Sequence, residues 1–148
     1  MFTVMEYEKG KGLGYLLERT TRLVKLNYSQ AFKAGGFDVT PEQWVIMERL
    51  SEKEKMSQNQ LAEFSFKDAP TISRILDLLS KKEIIKRSPV KGDKRSRHIS
   101  LTAKGLALVE DMKPLVADLR AKSWNDLSDS DYENFVRIIN QVFKNYHP

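Results

Sequence analysis

Residues 68–101 change from a helical to an extended periodicity within a few positions, and this change restricts the fold more than any other feature. Four apolar residues recur at helical spacing and predict a helix with one buried face: Ile72, Ile75, Leu76 and Leu79. The segments IIKRS (84–88) and RHISL (97–101) then alternate in the manner of strands. Pro89 and Gly92 lie between them. The sequence therefore predicts a helix followed directly by a β-hairpin.

Capping residues predict two short helices before this one. TPEQ at 40–43 supplies an N-cap threonine, a proline at the first helical position and a glutamine three residues after the cap. SQNQ at 57–60 is a second capping box, and Asp68 is placed to cap the helix with Pro70 in its first turn. The residues of the two short helices predicted to face inward are Trp44, Met47, Leu50, Leu61 and Phe64.

Longer helices are predicted at both ends of the chain, over about 12–33, from Thr102 onward and from Ser128 onward. The last of these has an apolar and aromatic stripe from Tyr132 to Tyr146, which is too apolar for a helix left in water. We therefore predict a mainly α fold with a small β-hairpin. It is a single domain with a winged helix-turn-helix lobe at about 38–101 and dimerisation helices at about 10–35 and 103–146.

Positive charge is concentrated in the predicted lobe. Residues 67–104 contain eleven Lys and Arg against four Asp and Glu, a net charge of +7, whereas the other residues sum to −2. A solubilising surface mixes both signs, so this asymmetry predicts a surface that contacts nucleic acid. In a winged helix-turn-helix the third helix enters the major groove. Thr71, Ser73 and Arg74 have the side chains that bond base edges or phosphates there.

The segment KDAPTISRILDLLSKKEIIKRSPVKGDKRSRHISLTAKG (67–105) resembles the core of MarR-type transcriptional regulators. The resemblance extends from GLGYLLERTTRLVK through TPEQWVIMERL to the C-terminal helix, and the Asp-x-Arg of the hairpin is its most specific part. It implies a homodimer that binds double-stranded DNA and acts as a repressor. It also implies that a small aromatic acid binds between the lobe and the stem, which is formed by the dimerisation helices, and releases the DNA. Glu83 stands where the family usually has glycine, which implies a slightly different turn there.

The resemblance also implies roles for individual residues. Arg95 matches the arginine that enters the minor groove, and Asp93 matches the acid that holds the hairpin by an ion pair, with Arg87 or Arg95 as its partner. Lys91, Lys94 and Arg97 are expected to meet phosphates, and Trp44 is the candidate ligand contact. The predicted DNA-binding residues are Pro70, Thr71, Ser73, Arg74, Lys91, Lys94, Arg95 and Arg97.

Two alternatives to these roles remain open. Arg74 could pair with Asp77 one turn away, and the lobe could bind protein, or nucleic acid without sequence preference. The chain has no cysteine, and His98 and His147 are isolated, so we expect no disulfide, metal or cofactor. Without a phosphate loop or nucleophile elbow we expect no enzyme. No apolar run reaches membrane-spanning length, and residues 1–10 lack a signal-peptide core, so we expect a cytoplasmic protein.

Overall fold

The computed structural model describes residues 11–147, and within this range the predicted mainly α fold with a β-hairpin is confirmed. The predicted stem residue at position 10 lies outside the described range. The chain divides within its fifth helix into two compact units, one ending at Lys113 and one starting at Pro114. In order, the elements are α1 (Leu13–Ala34), α2 (Pro41–Lys53), β1 (Lys55–Ser57), α3 (Gln58–Ser65), α4 (Ala69–Lys81), β2 (Ile85–Val90), β3 (Asp93–Leu101), α5 (Ala103–Ser123) and α6 (Asp129–Tyr146).

The helices of the lobe begin where their capping residues predict. The Thr40 hydroxyl accepts the backbone N–H of Gln43 at 3.1 Å, and the Gln43 side chain accepts the N–H of Thr40 at 3.1 Å. Ser57 and Gln60 form the same reciprocal pair at the start of α3. These bonds satisfy N–H groups that a helix leaves free at its start. The two short helices of the lobe are thereby fixed by local sequence.

The core of the lobe is made by the inner faces of α2, α3 and α4 together with the sheet. Phe64 departs from the prediction, because its ring is 42% exposed and does not join this core. On α3 only Leu61 points inward, since an eight-residue helix buries little more than one turn of its surface. The predicted inward residues that are buried are Trp44, Met47, Leu50, Leu61, Ile72, Ile75, Leu76 and Leu79.

The hairpin is part of a three-stranded antiparallel sheet, in the order β1-β3-β2. The two predicted strands are present and are longer than the alternating segments indicated. Strand β1 was not predicted, because three residues show no periodicity of their own. It pairs with β3, with Met56 opposite Ile99 and Ser57 opposite His98. This pairing places the start of α3 beside the hairpin.

The turn from α4 into β2 is built around Glu83, which has a left-handed backbone at φ 60°. Its N–H donates to the carbonyl of Ser80, and the N–H of Ile84 donates to the carbonyl of Leu79. Glycine favours this conformation at helix ends because it has no Cβ to clash. The hydroxyl of Thr102 closes the other side of the turn by donating to the Glu83 carbonyl at 2.6 Å.

The second unit consists of the rest of α5 and of α6. Ser128 caps α6 through a reciprocal pair with Asp131, as predicted. Trp124 packs edge-on against Tyr132 at 4.8 Å and Phe135 at 5.5 Å between ring centroids, which ties α6 back to the end of α5. No residue of α6 is buried, although the helix has a continuous apolar stripe.

Candidate nucleic-acid interface

The first two turns of α4 present the polar side chains predicted to read DNA. Pro70 and Arg74 are exposed, while Thr71 and Ser73 are half-buried. They lie on α4 opposite its buried apolar face, which fixes the helix against the lobe. A helix held in this way can present its outer face to a groove without rearranging.

Asp68 caps α4 and is occupied by that role. Its carboxylate accepts the backbone N–H of Thr71 at 2.8 Å. Hydrogen bonds from the side chain and backbone of Thr71 lower the pKa of Asp68, and the charges of Arg74 and Lys67 add to this effect. Asp68 is therefore ionised at neutral pH and holds the helix start, as its position predicts.

The hairpin, residues 85–101, is called the wing below. Its tip is the two-residue turn Lys91-Gly92, where Gly92 takes φ 84°. Glycine allows this left-handed conformation without strain, so the strands reverse tightly. A register shift between Pro89 and Val90 precedes the turn. The exposed predicted cations at or beside this tip are Lys91, Lys94, Arg95 and Arg97.

Asp93 organises the tip without the ion pair that was predicted for it. One carboxylate oxygen accepts the backbone N–H of Arg95 at 2.9 Å, and the other accepts the hydroxyl of Ser96 at 2.7 Å. The bond from Ser96, and after it the bond from the Arg95 N–H, lowers the pKa of Asp93. Asp93 therefore fixes the backbone of the tip, and within residues 11–147 the Arg95 guanidinium makes no ion pair.

Arg87 does not pair with Asp93, contrary to prediction. Its guanidinium lies 2.8 Å from the carboxylate of Asp77 on α4. The alternative in which Arg74 pairs with Asp77 is not found among the described residues, where the ion pair of Asp77 is with Arg87. The Asp77–Arg87 pair joins the outer side of α4 to strand β2. It thus links the helix predicted to enter the major groove with the base of the wing.

The guanidinium of Arg97 folds back onto its own strand. It donates to the backbone carbonyl of Lys94 at 3.2 Å and to that of Ser96 at 3.1 Å. Arg97 therefore stiffens the wing in addition to carrying charge. Its predicted phosphate contact would use the remaining donors of the guanidinium.

The start of α3 borders the wing, which the sequence did not indicate. Ser57, Gln58 and Asn59 line a hollow of about 260 Å³ together with residues 95–97 of β3. The SQNQ box located the helix start, but only the pairing of β1 with β3 brings it next to Arg95. That pairing joins residues 41 to 45 positions apart in the chain, so no local pattern could have revealed it.

Trp44, the candidate ligand contact, is a core residue of α2. Its indole is 2% exposed and packs against Phe32 of α1, with ring centroids 6.3 Å apart. The indole N–H is buried and has no hydrogen-bond partner among the described residues. A buried donor of this kind usually finds an acceptor.

Within residues 11–147 no group of His, Asp and Glu side chains is arranged to hold a metal ion. None of the helices described is both long and apolar enough to cross a bilayer.

Comparison with known proteins finds solved structures of similar fold. Residues 39–96 match the model of the MarR family. A probable transcriptional regulator from Pseudomonas aeruginosa is 27% identical with a TM-score of 0.75, over 91% of this chain and 99% of that one.

Two other solved structures share the fold at lower identity. Staphylococcus aureus MepR, in a complex with DNA, is 23% identical with a TM-score of 0.83, over 95% of this chain and 99% of that one. Bordetella bronchiseptica BpsR, whose DNA binding is regulated by 6-hydroxynicotinic acid, is 20% identical with a TM-score of 0.81, over 93% of this chain and 97% of that one.

Proposed function

Because residues 39–96 match the model of the MarR family, we propose that the chain is a DNA-binding transcriptional regulator, a ligand-responsive repressor that acts as a homodimer. The most direct support is that α4 and the wing belong to the same lobe. An exposed polar helix start and an exposed cationic tip lie on elements joined by the Asp77–Arg87 ion pair. The proposal places the protein in the cytoplasm and gives it no catalytic role.

In this proposal the two parts of the lobe contact different grooves. Thr71, Ser73 and Arg74 face the major groove, with Pro70 at the helix start against the backbone. Arg95 enters the minor groove, where a narrow A·T-rich stretch attracts a guanidinium. Lys91, Lys94 and Arg97 meet phosphates, which require charge but little geometry.

The homodimer is proposed to form through the helices outside the lobe. Apolar side chains of α1 and α6 are widely exposed in the single chain, including Leu23, Leu26, Phe135 and Phe143. An apolar surface of this extent marks a protein interface. Residues 38–101 are then the DNA-binding lobe, and residues 10–35 and 103–146 supply the dimerisation helices.

The ligand response is proposed to be reversible binding. The chain has no cysteine, so a signal cannot arrive by thiol oxidation. A small aromatic acid is the proposed class, by analogy with the pyridine acid that regulates BpsR. Trp44 is proposed to lie at that site, and its buried N–H, which has no hydrogen-bond partner among residues 11–147, supports a polar contact there. Salicylate should then quench the tryptophan emission and weaken binding to the selected DNA.

Selection of duplexes from a random pool tests the proposal. The selected DNA should contain an inverted repeat with half-sites about 10 base pairs apart, because a two-fold dimer presents two lobes one helical turn apart. Arg74→Ala should weaken binding to the selected DNA. Lys33→Ala removes a cation from α1, outside the lobe, and is the control. A pool without any preferred sequence would contradict the proposal and favour a lobe that binds nucleic acid through charge alone.

A further inference from the structure

A cleft between α3 and the end of α2 has no part in the proposed DNA contacts. The end of α2, strand β1 and the outer face of α3 line it, and its volume is about 500 Å³. Arg49, Lys53 and Lys55 contribute three positive charges to its wall, and Glu63 contributes one negative charge. The cleft is therefore cationic, although it lies outside the basic segment 67–104.

An aromatic ring forms part of this wall. Phe64 lines the cleft and is 42% exposed, so its side chain is accessible to a ligand. The guanidinium carbon of Arg49 lies 4.5 Å from the centre of the Phe64 ring. The ring and the guanidinium thus form an apolar and cationic platform at the edge of the cleft.

Arg49 is only partly satisfied by the protein. One terminal nitrogen reaches Glu52, at a long 3.5 Å. Its Nε is buried and has no hydrogen-bond partner among the described residues. A guanidinium has five donors in a planar fork that suits a carboxylate or phosphate. An anion that draws this side chain toward the cleft would supply the acceptor that Nε lacks.

We infer that this cleft, named here the α2–α3 cleft, binds a small organic anion with a planar apolar body. The head group pairs with Arg49 and Lys55, and the body lies against Phe64. The volume falls in the range of small-molecule sites. The site lies wholly within the lobe, so it differs from the one between lobe and stem implied by the resemblance. It does not depend on DNA binding.

A solvated group of surface cations is the simpler explanation. Lysine on an edge strand such as β1 can serve only to prevent pairing with another chain. Such a group would bind any anion weakly and would ignore an apolar body. The two explanations therefore differ in whether the ring and the charge of a ligand are both needed.

Benzoate is a suitable probe, followed through backbone amide shifts of the full-length protein in two-dimensional NMR. Benzoate should shift amides within residues 49–64 in a saturable way. Acetate, which lacks the ring, and benzamide, which lacks the charge, should each bind there about tenfold more weakly or worse. Benzoate shifts that are absent from residues 49–64, or equalled by acetate, would overturn the inference.

Variants assign the binding to the named side chains. Arg49→Gln should weaken benzoate binding about tenfold and Lys55→Gln about threefold. Glu63→Gln should strengthen it about threefold, because a repelling carboxylate is removed; a folding defect cannot mimic this gain. Lys81→Gln, the same charge change elsewhere on the lobe, should have no effect. Unchanged affinity in both Arg49→Gln and Lys55→Gln would refute the site.

Discussion

Helices α4 and α6 have similar designs and opposite environments. Each begins with a side-chain cap and has an apolar stripe along one face. The stripe of α4 is closed off by its own lobe, with Leu76 0% exposed, whereas Phe135 in the stripe of α6 is 46% exposed. The difference indicates where the partners of each helix are found. Those of α4 are in the same chain, and we propose that those of α6 come from a second copy.

The largest effect is expected from the buried side of this comparison. Leu76→Ala should lower the free energy of unfolding by about 2–5 kcal/mol, because the cavity cannot be refilled in a packed core. Urea unfolding followed by circular dichroism measures this loss. The loss should be the same at every protein concentration. A value below about 1 kcal/mol would mean that the lobe relaxes around the missing side chain.

The next effect concerns the exposed side. Phe135→Asp should raise the dissociation constant of the dimer about a hundredfold or more, because a carboxylate would be buried in an apolar seam. Sedimentation equilibrium measures the change, and circular dichroism should show that the helices persist. Gln141→Glu adds a negative charge on the opposite face of α6 and is the control. Equal effects of the two variants would remove α6 from the dimer interface.

The same contrast explains how much could be predicted from the sequence. The helix starts could be predicted because a capping side chain bonds to a residue only three positions away. The capping residues are Thr40, Ser57, Asp68 and Ser128. The buried stripe of α4 followed from helical spacing alone. Such features depend on neighbours in the chain, so the lobe's helices and the hairpin were predictable.

Features that depend on distant residues were missed or mistaken. Strand β1 exists only through its pairing with β3, and Phe64 is exposed because the short helix α3 buries only Leu61. For Arg87 the sequence offered Asp93 at the tip, but the fold brings Asp77 within 2.8 Å. Long charged side chains reach several neighbours, so their partner is decided by the tertiary structure.

A medium effect is expected in the wing. Loss of Arg95 and loss of Lys94 should change DNA binding in different ways. Arg95→Ala should weaken binding to the selected DNA by about 1–3 kcal/mol and relax the preference at its flanks. Lys94→Ala should weaken all duplexes alike and reduce the salt slope by about one unit. Fluorescence anisotropy at several salt concentrations measures both. If the two variants behave identically on every duplex, the tip acts as undifferentiated charge.

A smaller effect is expected at the turn after α4. Glu83→Gly should raise the free energy of unfolding by about 0.5–1 kcal/mol, because the left-handed conformation at φ 60° is strained for glutamate. Glu83→Ala keeps the strain and is the matched control. The dimer dissociation constant should not change, since the gain belongs to the lobe. A lower free energy of unfolding in Glu83→Gly would mean that the conformational entropy that glycine adds to the unfolded chain outweighs the relief of backbone strain at residue 83.

The smallest effect should be confined to the wing tip. Hydrogen bonds from Ser96 and from the Arg95 N–H lower the pKa of Asp93 below its ordinary value of 3.8. A carboxylate whose pKa is lowered by folding stabilises the folded form above the unfolded pKa, and this contribution is lost as the pH falls through the folded pKa. The amide signals of residues 95 and 96 should therefore titrate below pH 3.8. Asp93→Asn should abolish that titration while leaving the unfolding midpoint at neutral pH almost unchanged, because the side chain is exposed. Titration of these amides above pH 3.8 would show that Asp93 does not hold the tip.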